Sequence, residues 1–138
     1  MKALQLTVSL LLLSTCFLTT SCTKDQVENY RDNTKEIITQ GKWTVEYLFS
    51  GQDLTDQYQN YDFEFLGNGT LSAQGPGPEI SGTWSMIRDA NRNDVIRIQI
   101  NSQDPHFAAI SEQWRVTGKT LQSVVMAEGS SQLHIRKR

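Results

Sequence analysis

Few side chains in this 138-residue chain are of a type and spacing that could do chemistry. Its two thiols, Cys16 and Cys22, both lie near the N-terminus, so the rest of the chain has no disulfide framework and no thiolate metal site. His106 and His134 are the only histidines, and neither has a partner at metal-ligand spacing, so no metal is expected. Asp53 and Asp56 share one stretch, and paired carboxylates can divide acid and base roles; on a solvated loop they read as surface charge. There is no Gly-x-Ser-x-Gly elbow, phosphate-binding loop or Cys–His pair. Asn68-Gly69-Thr70 fits a glycosylation acceptor, but a tight hairpin accounts for the same residues. A net charge of −2 gives no broad attraction to nucleic acid. No cofactor and no enzymatic activity is expected.

Cys22 carries the most specific signal. Met1-Lys2 precedes an apolar run, residues 3–18, centred on Leu10 to Leu13 and interrupted by Gln5, Thr7, Ser9, Ser14 and Thr15. A spanning helix needs about 20 strongly apolar residues, so the run reads as a secretory signal. The segment Leu18-Thr19-Thr20-Ser21-Cys22-Thr23-Lys24-Asp25 resembles a bacterial lipobox, with Thr19 where that family prefers Leu. Leu13-Ser14-Thr15-Cys16 has the Leu in place but would leave Phe17-Leu18 at the mature N-terminus, so Cys22 is favoured over Cys16. The resemblance implies a diacylglyceryl group on the Cys22 thiol, cleavage just before it and acylation of the new amine. Two or more acyl chains anchor a protein stably without a spanning helix. The expected organisation is a signal peptide (1–21), a lipidated cysteine and flexible tether (22–33), and one folded domain (34–138).

The elements of that domain follow from alternation. Residues 34–40 fit a short helix capped by Asn33 or Thr34 and stopped by Gly41. Then come eight short runs of β type, 42–49, 61–66, 70–74, 80–87, 95–100, 112–117, 120–127 and 132–136, separated by turn-forming residues. Among the turns, Gly67-Asn68-Gly69, Gly75-Pro76-Gly77-Pro78, the polar stretch 89–94, Gly118-Lys119 and Glu128-Gly129-Ser130 are the clearest. The inward face is expected to carry Trp43, Val45, Tyr47, Tyr61, Phe63, Phe65, Leu71, Ala73, Ile80, Trp84, Met86, Ile96, Ile98, Ile100, Trp114, Val116, Leu133 and Ile135. In the seventh run Leu121 and Val125 compete with Val124 and Met126. No helix-period segment of useful length follows Gly41. The expected fold is all-β, an eight-stranded antiparallel up-and-down barrel, since closure removes exposed sheet edges; a two-sheet sandwich is the competitor.

Gly41-Lys42-Trp43 after a short helix, eight strands, and Arg136 or Arg138 at the end resemble the lipocalin-like lipoproteins of Gram-negative envelopes. The resemblance implies a cell-envelope protein held by its lipid at the outer membrane, with a terminal arginine lying across the tryptophan. Gly41, Trp43 and Arg136 would then form a structural latch at the closed end. In a meander the long connections 50–60 and 101–111 fall at the opposite end, as for an open mouth. A small hydrophobic ligand or envelope lipid would meet Tyr47, Tyr58, Phe63, Trp84, His106, Phe107 and Trp114 at that mouth or in the interior. The alternative is a solid-packed barrel that presents its loops to a protein partner.

Overall fold

The computed structural model describes residues 34–138, so the expected signal segment, Cys16, Cys22 and the expected tether lie outside the described residues. The alternating runs become a closed antiparallel sheet. In chain order it contains helix α1 (Thr34–Ile38), then β1 (Trp43–Phe49) and a two-residue strand β2 (Gln52–Asp53). A 3-10 turn (Thr55–Gln57) leads to β3 (Asp62–Phe65), β4 (Thr70–Gln74), β5 (Ile80–Arg88) and β6 (Asp94–Ile100). A second helix, α2 (Pro105–Ala109), precedes β7 (Gln113–Lys119), β8 (Ser123–Glu128) and β9 (Ser131–Lys137). Successive strands from β3 to β9 pair as neighbours, and β9 returns to β1 along six residue pairs from Trp43↔Lys137 to Leu48↔Gln132. The result is the expected eight-stranded barrel, with β2 as an additional short strand on the edge of β1.

The inward face is the expected one. Trp43, Val45, Tyr47, Phe63, Phe65, Leu71, Trp84, Ile96, Ile98, Trp114, Leu133 and Ile135 are buried in a single cluster. In the seventh run Val124 and Met126 win, because register sets them opposite the inward Ile135 and Leu133. The cluster begins at Ile37 and ends at Ile135.

Three connections depart from expectation. Gly118-Lys119 is not a turn: β7 runs through it with a bulge between Val116 and Gly118, and the chain reverses at 120–122 instead. The extra residue lets the strand bend without losing register further along. Residues 50–60 fold back on β1 through β2. The stretch 101–111 holds helix α2, so a helix does follow Gly41, though only five residues long.

The closed end rests on α1. Such a short helix is marginal alone and is held by packing: Ile37 and Ile38 are buried, and the Trp43 indole N–H donates to the Ile38 carbonyl at 2.8 Å. Gly41 stops the helix at φ +88°, a conformation that suits glycine, and a Cβ there would press on Lys137 Cε at 3.2 Å. The arginine part of the latch differs. Register pairs Arg136 with Thr44, one residue off Trp43, so Arg136 points to the outer wall. There its Nε meets Glu46 at 2.8 Å, while Arg138 pairs with Asp62 at 2.6 Å. Trp43 is therefore latched to a helix carbonyl rather than to an arginine.

Gly82 has a different role: a Cβ on it would lie 2.3 Å from the Gln99 carbonyl oxygen and 2.9 Å from Ile100 Cα. No side chain fits between β5 and β6 at that crossing.

Replacing Trp43 with Ala removes a fully buried indole and strands the Ile38 carbonyl. A loss of about 3–5 kcal/mol is expected in urea unfolding followed by circular dichroism. Arg136→Ala should shift the same transition by less than about 1 kcal/mol, as for an exposed ion pair.

Candidate functional site

The long connections do gather at the end opposite α1, but they close it. Asp104 and Pro105 start α2. The Asp104 carboxylate accepts the His106 N–H at 2.9 Å, and proline at the first helical position has its φ preset and no N–H to satisfy. The helix then turns Phe107 and the following Ile110 into the barrel, each 1% exposed. On the facing side, the Asp53 carboxylate accepts the Thr55 N–H at 2.9 Å and the Thr55 hydroxyl accepts the Tyr47 N–H at 3.1 Å. These bonds fold the 50–61 connection against β1, where β3 meets β1 only at Trp43↔Phe63. They set Tyr58 into the mouth with no exposed surface.

The two connections are fastened to each other and to the wall by polar hydrogens on aromatic rings. Tyr58 donates its hydroxyl to the His106 carbonyl at 2.6 Å, Tyr47 to the Ala109 carbonyl at 3.4 Å, and Trp114 its indole N–H to the Ile110 carbonyl at 2.9 Å. The rings meet mostly edge to face, a favourable arrangement. Tyr61 lies 5.0 Å from Phe107 between centroids, Tyr47 5.9 Å from Trp114, and Tyr58 6.2 Å from Phe107.

Of the seven residues expected to meet a ligand, Tyr47, Tyr58, Phe63, Phe107 and Trp114 come together as this plug. Tyr58 and Phe107 are buried, not at a rim. Trp84 lies towards the α1 end, edge-on to Phe65 at 5.7 Å and bonded to the Leu66 carbonyl at 2.8 Å. His106 takes part through its backbone, as acceptor for Tyr58 and donor to Asp104. His134 sits on the outer wall, 3.2 Å from Glu46. Among the described residues, no three His, Cys, Asp or Glu side chains are grouped to hold a metal ion.

Outside the plug, the rim is acidic. Asp53, Asp56, Glu79, Asp104, Glu112 and Glu128 are all exposed at this end, and its connections contain no Lys or Arg. Hydrogen bonds from the Thr55 hydroxyl and N–H hold the Asp53 carboxyl below its ordinary range. Burial, then the neighbouring Tyr47 and Asp104, pushes the Tyr58 phenol far above its ordinary value of 10.0. A recess at this end opens on the outside. Beyond the β6–β7 ladder pairs at 95–97, where Ile98 and Ile100 still bond to Glu112 and Ser111, an open groove of about 420 Å³ is lined by Arg97, Gln99, Ala108, Ser111, Glu112 and Gln113 among others. Sequence reading missed Ile110 and Ser111, although Ser102-x-Asp104-Pro105 is a legible helix start.

Because Tyr58 stays neutral when folded but ionises near pH 10 when unfolded, its contribution is present below pH 10 and is lost as pH rises further. Unfolding midpoints measured between about pH 8 and 11 should therefore fall at the alkaline end, and Tyr58→Phe should flatten that fall. An identical slope in the variant would remove Tyr58 as the cause.

No family model matches the chain, and no curated protein matches it. Solved structures do. A DUF4847 family protein from Bacteroides vulgatus superposes with a TM-score of 0.55 at 13% identity, covering 75% of this chain and 96% of that one. A lipocalin-like protein from Bacteroides uniformis superposes with a TM-score of 0.52 at 18% identity, covering 72% of this chain and 98% of that one. At these identities the likeness is one of fold: a closed eight-stranded antiparallel barrel, similar to that of the lipocalin-like protein.

Proposed function

We propose that the protein is a lipid-anchored envelope lipoprotein whose barrel is non-catalytic and presents its acidic mouth loops to a protein partner. The observation that carries this reading is the plug. Tyr58, Phe107 and Ile110 stand in the mouth, where a small ligand would enter, each at most 1% exposed. With these side chains buried in the mouth, this reading puts recognition on the outer surface of the loops. There six carboxylates without a neighbouring Lys or Arg on the same connections favour a cationic partner surface. Support for the anchor is the N-terminal sequence: one positive charge, a short apolar run and Ser21-Cys22 before a polar stretch.

Binding of a small hydrophobic ligand is the second reading, favoured by the lipocalin-like fold and by closure of the mouth with a five-residue helix rather than a strand. Native mass spectrometry and tryptophan fluorescence with a lipophilic library separate the two. The solid-barrel reading expects no bound species in the unmodified protein. Stoichiometric retention of an apolar molecule, weakened by narrowing the interior, would establish the second reading instead.

Two further outcomes are expected. Cys22→Ser should abolish metabolic labelling with radioactive palmitate, whereas Cys16→Ser should leave it intact. In-cell crosslinking should yield a partner adduct that is lost when Asp53, Asp56 and Asp104 are all changed to Asn.

A further inference from the structure

The two ends of the barrel differ in charge: the mouth connections carry carboxylates and no Lys or Arg, whereas the α1 end gathers most of the domain's cations beside Glu36, Asp89 and Asp94. Of the ten Lys and Arg residues between 34 and 138, eight lie at the α1 end: Lys35, Lys42, Arg88, Arg92, Lys119, Arg136, Lys137 and Arg138. Some are already matched, Arg136 with Glu46 and Arg138 with Asp62. Arg88 at 3.5 Å and Lys119 at 3.6 Å both approach Asp94. Lys35, Lys42 and Arg92 are exposed. The same end carries three of the five exposed large apolar side chains among the described residues: Leu66 in the β3–β4 turn at 40%, Ile87 near the foot of β5 at 40%, and Leu121 in the β7–β8 turn at 65%. They are spaced around the rim, one near each of its three turns.

This is also the end at which the chain enters the fold. Thr34 is fully buried, donates to Asp94 Oδ2 at 2.5 Å and accepts from Lys119 Nζ at 2.5 Å, so the point of entry is fixed to the barrel. From Cys22 to Thr34 the chain can span at most about 40 Å, which keeps this end near any membrane that holds Cys22.

We propose that the α1 end docks on the anionic headgroup surface of a phospholipid bilayer, with Leu121, Leu66 and Ile87 meeting the interface and the acidic mouth turned away. The placement of the anchor rests on the lipoprotein reading above; the docking face itself rests on charge, apolar exposure and the entry point. An anionic leaflet attracts Lys and Arg within about a screening length of its surface and repels carboxylates. Both effects turn the barrel the same way. Apolar tips among cations then bury at the headgroup boundary, as on interfacial protein surfaces. The loops offered to a partner would thereby stand clear of the bilayer.

The test uses the chain from Thr23 onward without lipid, which keeps every described core residue. It is floated with vesicles of phosphatidylcholine alone and of phosphatidylcholine with phosphatidylglycerol. Flotation with the anionic vesicles only is expected, and its loss in about 1 M salt, where screening shortens to about 3 Å. Combined Lys35→Glu, Lys42→Glu and Arg92→Glu should weaken it roughly tenfold or more. Leu121→Ser should weaken it less, and Asp53→Asn with Glu79→Gln at the mouth should not weaken it. Thermal unfolding of each variant checks that the fold is kept. Equal flotation on both vesicle types, none on either, or a triple charge reversal without effect would overturn the proposal. Because this chain carries no acyl group, its result is independent of whether Cys22 is labelled in cells.

Discussion

The structure depends on one constraint: aromatic N–H and O–H groups inside a narrow closed barrel need acceptors that the barrel wall cannot supply. Wall carbonyls are committed to neighbouring strands, and a buried donor left unpaired costs about 1–3 kcal/mol. Each indole therefore reaches a carbonyl in a connecting segment. Trp43 bonds Ile38 at the end of α1, Trp84 bonds Leu66 at the β3–β4 turn, and Trp114 bonds Ile110 after α2. The same bonds that satisfy the donors draw both ends of the barrel shut. Tyr47 and Tyr58 add two more at the mouth.

That constraint shapes what the protein can do. A lipocalin-like fold with an open mouth would recognise a ligand inside. Here Phe107 and Tyr58 stand where it would enter, held by edge-to-face rings and by hydrogen bonds to α2. Surface charge is unevenly sorted by end: carboxylates without Lys or Arg around the mouth, most of the lysines and arginines, beside Glu36, Asp89 and Asp94, around α1. Sorting of this kind orients a molecule in the field of a charged surface while costing the fold little, since exposed charges contribute weakly to stability.

The seam between β1 and β3 shows how local chemistry compensates for a weak ladder. The two strands share one residue pair, against six between β1 and β9. Residues 50–61 fill the deficit through Thr55 and the Leu54 N–H, which donates to the Tyr47 carbonyl at 2.8 Å. Backbone groups on the open edge of β1 thus find partners in a loop.

Alternation along the chain determined the eight strands, the inward face and the antiparallel order, because side chains on a strand take opposite faces by geometry and turn residues mark each reversal. It also placed the helix stop at Gly41 and brought β9 back beside β1. Tertiary packing decided what alternation is blind to. Val124 and Met126 were chosen over Leu121 and Val125 by pairing with Leu133 and Ile135. Arg136 was sent outwards by a one-residue difference in register from Trp43. Whether the long connections at 50–60 and 101–111 stand open or fold inward depends on distant acceptors for Tyr47, Tyr58 and Trp114. No local pattern encodes that, since the bonds cross as many as 62 residues of sequence.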